Sequence, residues 1–381
     1  MWGSEVLIYG YGAVCLSMIV FNIIYNIVLK KKEPGTAKKA EHVREALLKT
    51  YDGDMSGNEK NRTQTDVREF LKVEKLDLGK SEDLLTLSQA LSMLFDGNQA
   101  EAAEGFIEGL QPLLPGLAES YLKKDSMQTA YFAVFLQNYR RNSKYDAHLL
   151  DILLKYASQE NMYCRINALD AFYAIGNAEY VVKAVAIQDK MSVFLHDKIL
   201  TEGLLSFSGN HKELIEKITG HFQEFTVQTR LAVLNYIRLK SDSCQEFMYR
   251  IMTDEREDRE LRLSAVRYFG RYPWEQARSP LIAFAMDKEM FHWEYAAVAA
   301  GALKEYKGED VIAALKTALY SSNWYVRYNA AVSLEASGLS YTHLIDVMAG
   351  NDRFAREMME YRLEERKLRK DREPTKEGER K

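Results

Sequence analysis

The feature that most constrains this chain is a short pattern that returns at an almost constant spacing. At each return, a charged residue is followed by apolar and alanine-rich positions. These marker residues are Arg165, Lys198, Arg230, Arg262, Glu294 and Arg327, and successive markers lie 33, 32, 32, 32 and 33 residues apart. Intervals this regular predict one structural unit copied several times, rather than a series of unrelated domains.

A second apolar segment precedes each marker, for example at residues 149–157, 214–222 and 311–319. The repeating unit is therefore predicted to be a pair of helices. One pair cannot bury both of its apolar faces alone, so neighbouring pairs must stack. Only 6 prolines and 21 glycines occur among 381 residues, and so few helix-breaking residues favour an all-α chain.

The marker helices share the pattern Val/Leu-Arg-x-x-Ala, most fully in residues 323–334, which read NWYVRYNAAVSL. This pattern resembles the HEAT family, particularly its short bacterial repeats, over about residues 115–350. The resemblance implies an all-α fold in which HEAT-like helical hairpins form a right-handed α-solenoid. Glu294 reverses the charge of the marker and so interrupts a continuous arginine ladder. The family hosts many binding roles, so the resemblance implies architecture far more than function.

Residues 6–29 carry no charge, and a helix of that length is long enough to cross a hydrocarbon core of about 30 Å. No Lys or Arg precedes the segment, whereas Lys30, Lys31 and Lys32 follow it, which favours an uncleaved transmembrane anchor over a signal peptide. The positive charges also predict a single-pass protein of the plasma membrane, with its N-terminus outside and its repeats in the cytoplasm.

Asn22 and Asn26 lie one helical turn apart within this segment. Asparagine amides can hydrogen-bond between membrane helices, so the pair is a candidate face for a membrane partner. The plainer interpretation, an anchor that tolerates two asparagines near its cytoplasmic end, is slightly favoured. The full organisation is then predicted as an anchor with a basic flank (1–32), a mostly mobile tether (33–79), a solenoid (80–350), a charged capping helix (351–371) and a disordered tail (372–381).

Motifs that carry chemistry are missing from the sequence. The cysteines Cys15, Cys164 and Cys244 form no metal-binding pair, the histidines lack metal-site spacing, and no nucleotide-binding motif occurs. The net charge of −4 argues against broad nucleic-acid binding. We therefore expect no enzyme, no cofactor, no metal and no nucleic acid. The alternative is a helical-repeat enzyme or small-ligand binder, lyase-like or DNA-base glycosylase-like, for which Asp170 beside Tyr173 is the only indication.

The expected function is that of a scaffold or adaptor that binds proteins at the cytoplasmic membrane face. A membrane protein is expected among its partners, for example in a membrane enzyme complex such as a glycosyltransferase. Trp, Tyr and Arg dominate the binding energy of protein interfaces, and several lie on the predicted marker helices. The partner-binding candidates are Tyr163, Tyr173, Arg238, Arg267, Arg271, Trp324, Tyr325 and Tyr328. The marker arginines are open to two interpretations, bridges between repeats or an anion-binding groove, of which the structural role is favoured.

The membrane anchor generates the first prediction. The full-length chain is expected to sediment with membranes and to resist extraction at alkaline pH, because residues 6–29 insert into the bilayer. A chain lacking residues 1–32 should appear in the soluble fraction. Replacing Asn22 and Asn26 by leucine is the control and should leave sedimentation unchanged. Finding the full-length chain in the supernatant of broken cells would contradict the anchor.

Overall fold

The protein is described here by a computed structural model that covers residues 36–51, 64–97, 99–139, 146–191, 195–339 and 341–372. Within these ranges every regular element is a helix, which confirms the all-α prediction. The chain divides into two compact units, Met1–Met191 and Ser192–Lys381.

The described helices of the first unit are α1 (36–51), α2 (Gln64–Val73), α3 (Ser81–Asp96), α4 (Ala100–Leu110), α5 (Leu114–Leu122), α6 (Ser126–Asn138), α7 (Ala147–Ala157), α8 (Met162–Ile175) and α9 (Ala178–Asp189). Those of the second unit are α10 (Asp197–Leu205), α11 (His211–Gly220), α12 (Val227–Lys240), α13 (Gln245–Thr253), α14 (Arg259–Phe269), α15 (Glu275–Met286), α16 (Trp293–Ala302), α17 (Glu309–Ala318), α18 (Trp324–Ala336), α19 (Ile345–Met348) and α20 (Arg353–Arg372).

Many of these helices begin at an Asp or Asn whose side chain caps the first turn. Asn161 Oδ1 accepts hydrogen bonds from the backbone N–H groups of Tyr163 and Cys164, and Asn323 Oδ1 accepts one from Tyr325. Short polar side chains of this kind satisfy N–H groups that have no partner within the helix. These caps explain where the capped helices begin.

Helices in each unit pack mainly against the next helix but one. In the first unit α5 contacts α7, α6 contacts α8, and α7 contacts α9. In the second unit α10, α12, α14, α16, α18 and α20 follow one another in contact, and α15 contacts α17. Antiparallel hairpin partners such as α7 and α8, or α17 and α18, also touch. Many helices therefore have neighbours both in their own hairpin and in an adjacent hairpin.

Small residues line the contacts between alternate helices. Ala168, Ala265, Ala297 and Ala330 each follow a marker by three residues, and all four are buried. Methyl side chains let helix backbones approach closely, so polar side chains can reach the carbonyl groups of the adjacent helix. Asn329 Nδ2, for instance, donates to Ala297 O over 2.8 Å, which ties α18 to α16.

The marker residues all lie in the first turn of their helices, α8, α10, α12, α14, α16 and α18. Several of them contact loops or neighbouring helices. Arg230 Nη1 lies 2.9 Å from Glu257 Oε2, in the loop before α14. Arg262 Nε donates to Met252 O over 3.2 Å, and Arg327 Nη1 donates to Ser321 O over 2.8 Å. These contacts are of the structural kind favoured for the markers.

Arg165 is the most deeply buried marker and belongs to the first unit. Its Nε donates to Gln188 Oε1 over 2.7 Å, and Gln188 Nε2 in turn donates to Ala157 O over 2.5 Å. Burial lowers the pKa of the guanidinium. The chain of hydrogen bonds links α8 to α9 and α7, so a buried charge is held by partners from two neighbouring helices.

The segment predicted as a mostly mobile tether, residues 33–79, needs correction where it is described. Residues 36–51 and Gln64–Val73 form α1 and α2, and the rings of Tyr51, Phe70 and Phe106 pack together with centroids 5.4 to 6.5 Å apart. The apolar positions of α1 recur at helical spacing and are buried, which supplies the physical reason.

The predicted transmembrane segment, residues 6–29, lies outside the described residues, as do Asn22 and Asn26. Among the residues that the structure describes, no helix is both long and apolar enough to cross a bilayer. The anchor stays a prediction.

Replacing Gln188 by alanine tests the buried hydrogen-bond chain. Because Arg165 Nε would keep its burial and lose this acceptor, we expect the free energy of unfolding to fall by about 2 to 3 kcal/mol. Gln276, exposed on α15, is the matched control, and Gln276→Ala should change stability by less than about 0.5 kcal/mol. Urea unfolding followed by circular dichroism measures both. Equal effects of the two substitutions would show that the hydrogen bonds of Gln188 contribute nothing to the stability of the fold.

Candidate partner-binding surface

Three of the predicted partner-binding residues lie together at the start of α18. Trp324 and Tyr328 are four residues apart, hence on one face of the helix, and their rings stack with centroids 4.9 Å apart. Tyr325 meets Trp324 edge-on, with centroids 5.2 Å apart. Trp293, in the first turn of α16, stacks on Tyr325 over 5.6 Å. We call these four residues the aromatic cluster.

The aromatic cluster has both exposed rings and a ring that is packed against its neighbours. Trp324 and Tyr325 keep 51% and 57% of their surface exposed, although both rings contact other rings. Tyr328 lies deeper, beneath the guanidinium of Arg362 at 5.7 Å from its ring centroid. Arg362 is itself buried and paired with Glu335 over 2.5 Å. Rigid aromatic rings held in this way lose little conformational entropy when a partner covers them.

Three arginines form a second group, at the ends of α12 and α14, which we call the arginine cluster: Arg238, Arg267 and Arg271. Arg238 is half-buried in the last turn of α12, while Arg267 and Arg271 are exposed at and just beyond the last turn of α14. Burial lowers the pKa of Arg238, and the charges of Arg267 and Arg271 lower it further. Arg267 and Arg271 therefore both lie near enough to Arg238 for their charges to act on it.

Two further candidates lie on α8, in the first unit, and their surroundings differ. Tyr163 is in the first turn and 65% exposed, as a surface contact requires. Tyr173 is only 2% exposed, and burial followed by the nearby charge of Asp170 raises the pKa of its hydroxyl. The prediction of Tyr173 as a partner-binding residue therefore needs correction, because its ring belongs to the core of the first unit.

The structure thus gathers six of the predicted residues into two groups within the second unit and leaves Tyr163 by itself in the first. Trp293 was missed, although its position at the start of the preceding marker helix could have indicated that it adjoins Tyr325. Among the described residues, no group of His, Cys, Asp and Glu has the arrangement of a metal site.

No protein-family model matches the chain, and no curated protein matches it in sequence.

Two substitutions should separate core aromatics from surface aromatics. Tyr173→Ala removes a buried ring and is expected to lower the free energy of unfolding by about 3 to 5 kcal/mol. Trp324→Ala removes a larger ring that is half exposed, and should cost only about 1 kcal/mol, mainly from lost ring stacking. Chemical denaturation measures both values. A loss at Trp324 as large as that at Tyr173 would mean that the aromatic cluster is part of the core.

Proposed function

We propose that this chain is a membrane-anchored scaffold that binds partner proteins at the cytoplasmic face of the membrane. The proposal has three parts: a right-handed α-solenoid of HEAT-like hairpins, an anchor at residues 6–29, and a partner-binding surface centred on the aromatic cluster. The exposed, pre-packed rings of Trp324 and Tyr325 carry the argument for binding, because half-exposed aromatics on a rigid helix are typical of interface hot spots.

The solenoid is supported by how the sequence repeat relates to the helices. Every marker lies in the first turn of a helix, and in four of the six marker helices a buried alanine follows the marker by three residues. Alternate helices within each unit are in contact. Such nearest-neighbour packing is what stacked hairpins need to bury their apolar faces. The charged helix α20 buries Ala355 and Met359 against its neighbours and exposes much of its remaining described surface, as a terminal capping helix would.

The expected partner is a membrane protein in the same bilayer, for instance a component of a membrane enzyme complex such as a glycosyltransferase. An anchor confines scaffold and partner to one surface and so raises the effective concentration of each near the other. Asn22 and Asn26 offer a possible contact within the bilayer if they face a neighbouring helix. The aromatic cluster offers a contact outside it.

The alternative, a lyase-like or DNA-base glycosylase-like protein, depends on Asp170. Burial raises the pKa of this carboxyl group, which is a property that general acids use. Tyr173, the aromatic residue beside it in sequence, is buried and offers no open ring face to a substrate base. Catalytic turnover that disappears in Asp170→Asn would favour the enzyme over the scaffold.

Site-specific photocrosslinking in native membranes tests the scaffold. A photoreactive phenylalanine analogue at position 325 is expected to form an adduct with a membrane protein, because Tyr325 is on the proposed surface. The same analogue at position 361 is the control, since Tyr361 is equally exposed, at 59%, on the neighbouring helix α20. Trp324→Ala should reduce the adduct at 325 about tenfold or more, as expected for a hot-spot residue.

Two outcomes would overturn the proposal. Adducts of equal yield at positions 325 and 361 would show that proximity in the membrane, rather than a specific surface, produces them. An adduct at 325 that is insensitive to Trp324→Ala would show that the aromatic cluster does not carry the binding energy.

A further inference from the structure

The three guanidinium groups of the arginine cluster have neither a carboxylate nor a backbone carbonyl as a described partner, whereas most other described arginines of the second unit have one or the other. Arg230, Arg259, Arg278, Arg353 and Arg362 each have a carboxylate within salt-bridge distance. No described carboxylate lies within 4.0 Å of the guanidinium groups of Arg238, Arg267 or Arg271. Three positive charges are therefore brought together without a described negative charge to balance them.

Packing of two helices brings the arginines together. Ser264 Oγ donates to Asn235 Oδ1 over 3.2 Å, which joins α14 to α12 beside the cluster. Arg238 Nη2 reaches the same amide oxygen at 3.4 Å. Arg267 is three residues past Ser264 on the same face of α14. Two of the three positions, Arg238 and Arg267, are thus set by helices, and Arg271 lies in the turn that directly follows α14. A site built on helices is precise.

Hydrogen bonding to the helix ends does not account for the cluster. The helix dipole favours cations in the last turn, and hydrogen bonds from the cation to the last carbonyl groups add to that effect. In the described residues, Arg238 donates to a side-chain amide, and Arg271 Nε donates to the hydroxyl of Tyr272 over 3.2 Å. Neither they nor Arg267 make a described hydrogen bond to a carbonyl group at the end of α12 or α14.

The cluster also carries a cost in the unliganded protein. Arg238 Nε is buried and has no hydrogen-bond partner among the described atoms, and the same holds for the Nε atoms of Arg230, Arg278 and Arg327. The guanidinium groups of those three have a carboxylate or a backbone carbonyl elsewhere, whereas that of Arg238 has only the amide oxygen of Asn235. A buried N–H of a charged group without a partner is unfavourable, and two neighbouring positive charges add repulsion. The pKa of Arg238 is accordingly lowered, first by burial and then by Arg267 and Arg271. A bound anion would offset both penalties at once.

We propose that the arginine cluster binds a phosphate group with two or more negative charges, such as a phosphomonoester or a pyrophosphate. Guanidinium groups present paired N–H donors that match phosphate oxygens, and three of them suit a multiply charged group better than a single carboxylate. The site lies wholly within the second unit. It extends the proposed function and does not depend on the aromatic cluster or on the membrane anchor.

Titration calorimetry of the full-length chain in detergent, with inorganic phosphate and inorganic pyrophosphate as probes, tests the site. Pyrophosphate is expected to bind more tightly than phosphate, and raising the salt concentration should weaken both. Arg267→Gln and Arg271→Gln should each weaken pyrophosphate binding about tenfold or more, the loss expected from one charged hydrogen-bond donor. Both residues are exposed, so these variants keep the core intact.

Arg256→Gln is the matched control. Arg256 is exposed in the loop before α14, at the opposite end of that helix from the cluster, and should leave pyrophosphate binding within twofold. Arg238→Lys keeps the charge but removes the paired donors, so it should weaken binding more than the control does. Failure of pyrophosphate to bind, or equal binding by Arg267→Gln and the unaltered chain, would overturn the proposal.

Thermal unfolding supplies an independent readout. Pyrophosphate should raise the melting temperature of the unaltered chain and of Arg256→Gln, but not that of Arg267→Gln, because only a bound ligand stabilises the folded state. Without ligand, Arg267→Gln should melt at the same temperature as the unaltered chain or higher, because one repulsive charge is gone. A lower melting temperature for unliganded Arg267→Gln would indicate that the cluster is structural and would overturn the proposal.

The phosphate group could belong to a lipid headgroup or to a soluble molecule, and a binding experiment with lipids distinguishes the two. Detergent micelles containing phosphatidic acid, which carries a phosphomonoester, are compared with micelles containing phosphatidylcholine. Cluster-dependent binding of phosphatidic acid over phosphatidylcholine supports a lipid source, whereas cluster-dependent binding of pyrophosphate alone supports a soluble one. A third outcome is that the arginine variants bind every phosphate probe normally and lose only their photocrosslink to a protein. In that case the cluster contacts an acidic protein surface, and the proposal is wrong.

Discussion

Close packing between alternate helices is the constraint on which the rest of the described structure depends. Alanine at the third position after the marker, as in Ala265, Ala297 and Ala330, lets the backbone of one helix lie near the backbone of the next. That closeness makes the polar bridges possible, since Asn329 and Ser333 can reach the carbonyl groups of α16 only across a short gap. A larger side chain at these positions would separate the helices and break the bridges as well.

The same regularity explains how much of the fold could be predicted from sequence. The marker spacing predicts helices at a fixed interval, and every marker does lie in the first turn of a helix. It says nothing of α1 and α2, because these helices precede the repeat and carry no marker. Their buried faces are visible only when Val43, Leu47 and Tyr51 are considered as a helical stripe, and their partner Phe106 lies far away in the sequence.

The candidate site was harder to predict, and Tyr173 and Arg238 show why. Both residues follow their marker by eight positions, Arg165 in one case and Arg230 in the other. The tyrosine is buried and the arginine is half-buried, whereas Ser206, at the equivalent position after Lys198, is exposed. Residue type alone suggested that Tyr173 and Arg238 were both surface contacts. Burial at one repeat position thus varies with the tertiary packing around it, which neither residue type nor repeat spacing reveals.

Arg267 and Arg271 occupy different repeat positions from Arg238, so no alignment of the repeats would have brought the three together. Their proximity arises from the offset between α12 and α14, which the tertiary packing sets. Local conflicts between sequence and fold, such as unbalanced like charges on a half-buried side chain, are expected where a protein binds something else. The aromatic cluster is the opposite case, because its rings already satisfy one another and a partner would cover a surface that is stable without it. The two proposed surfaces therefore differ in kind, because aromatic rings dominate one and unbalanced positive charge dominates the other.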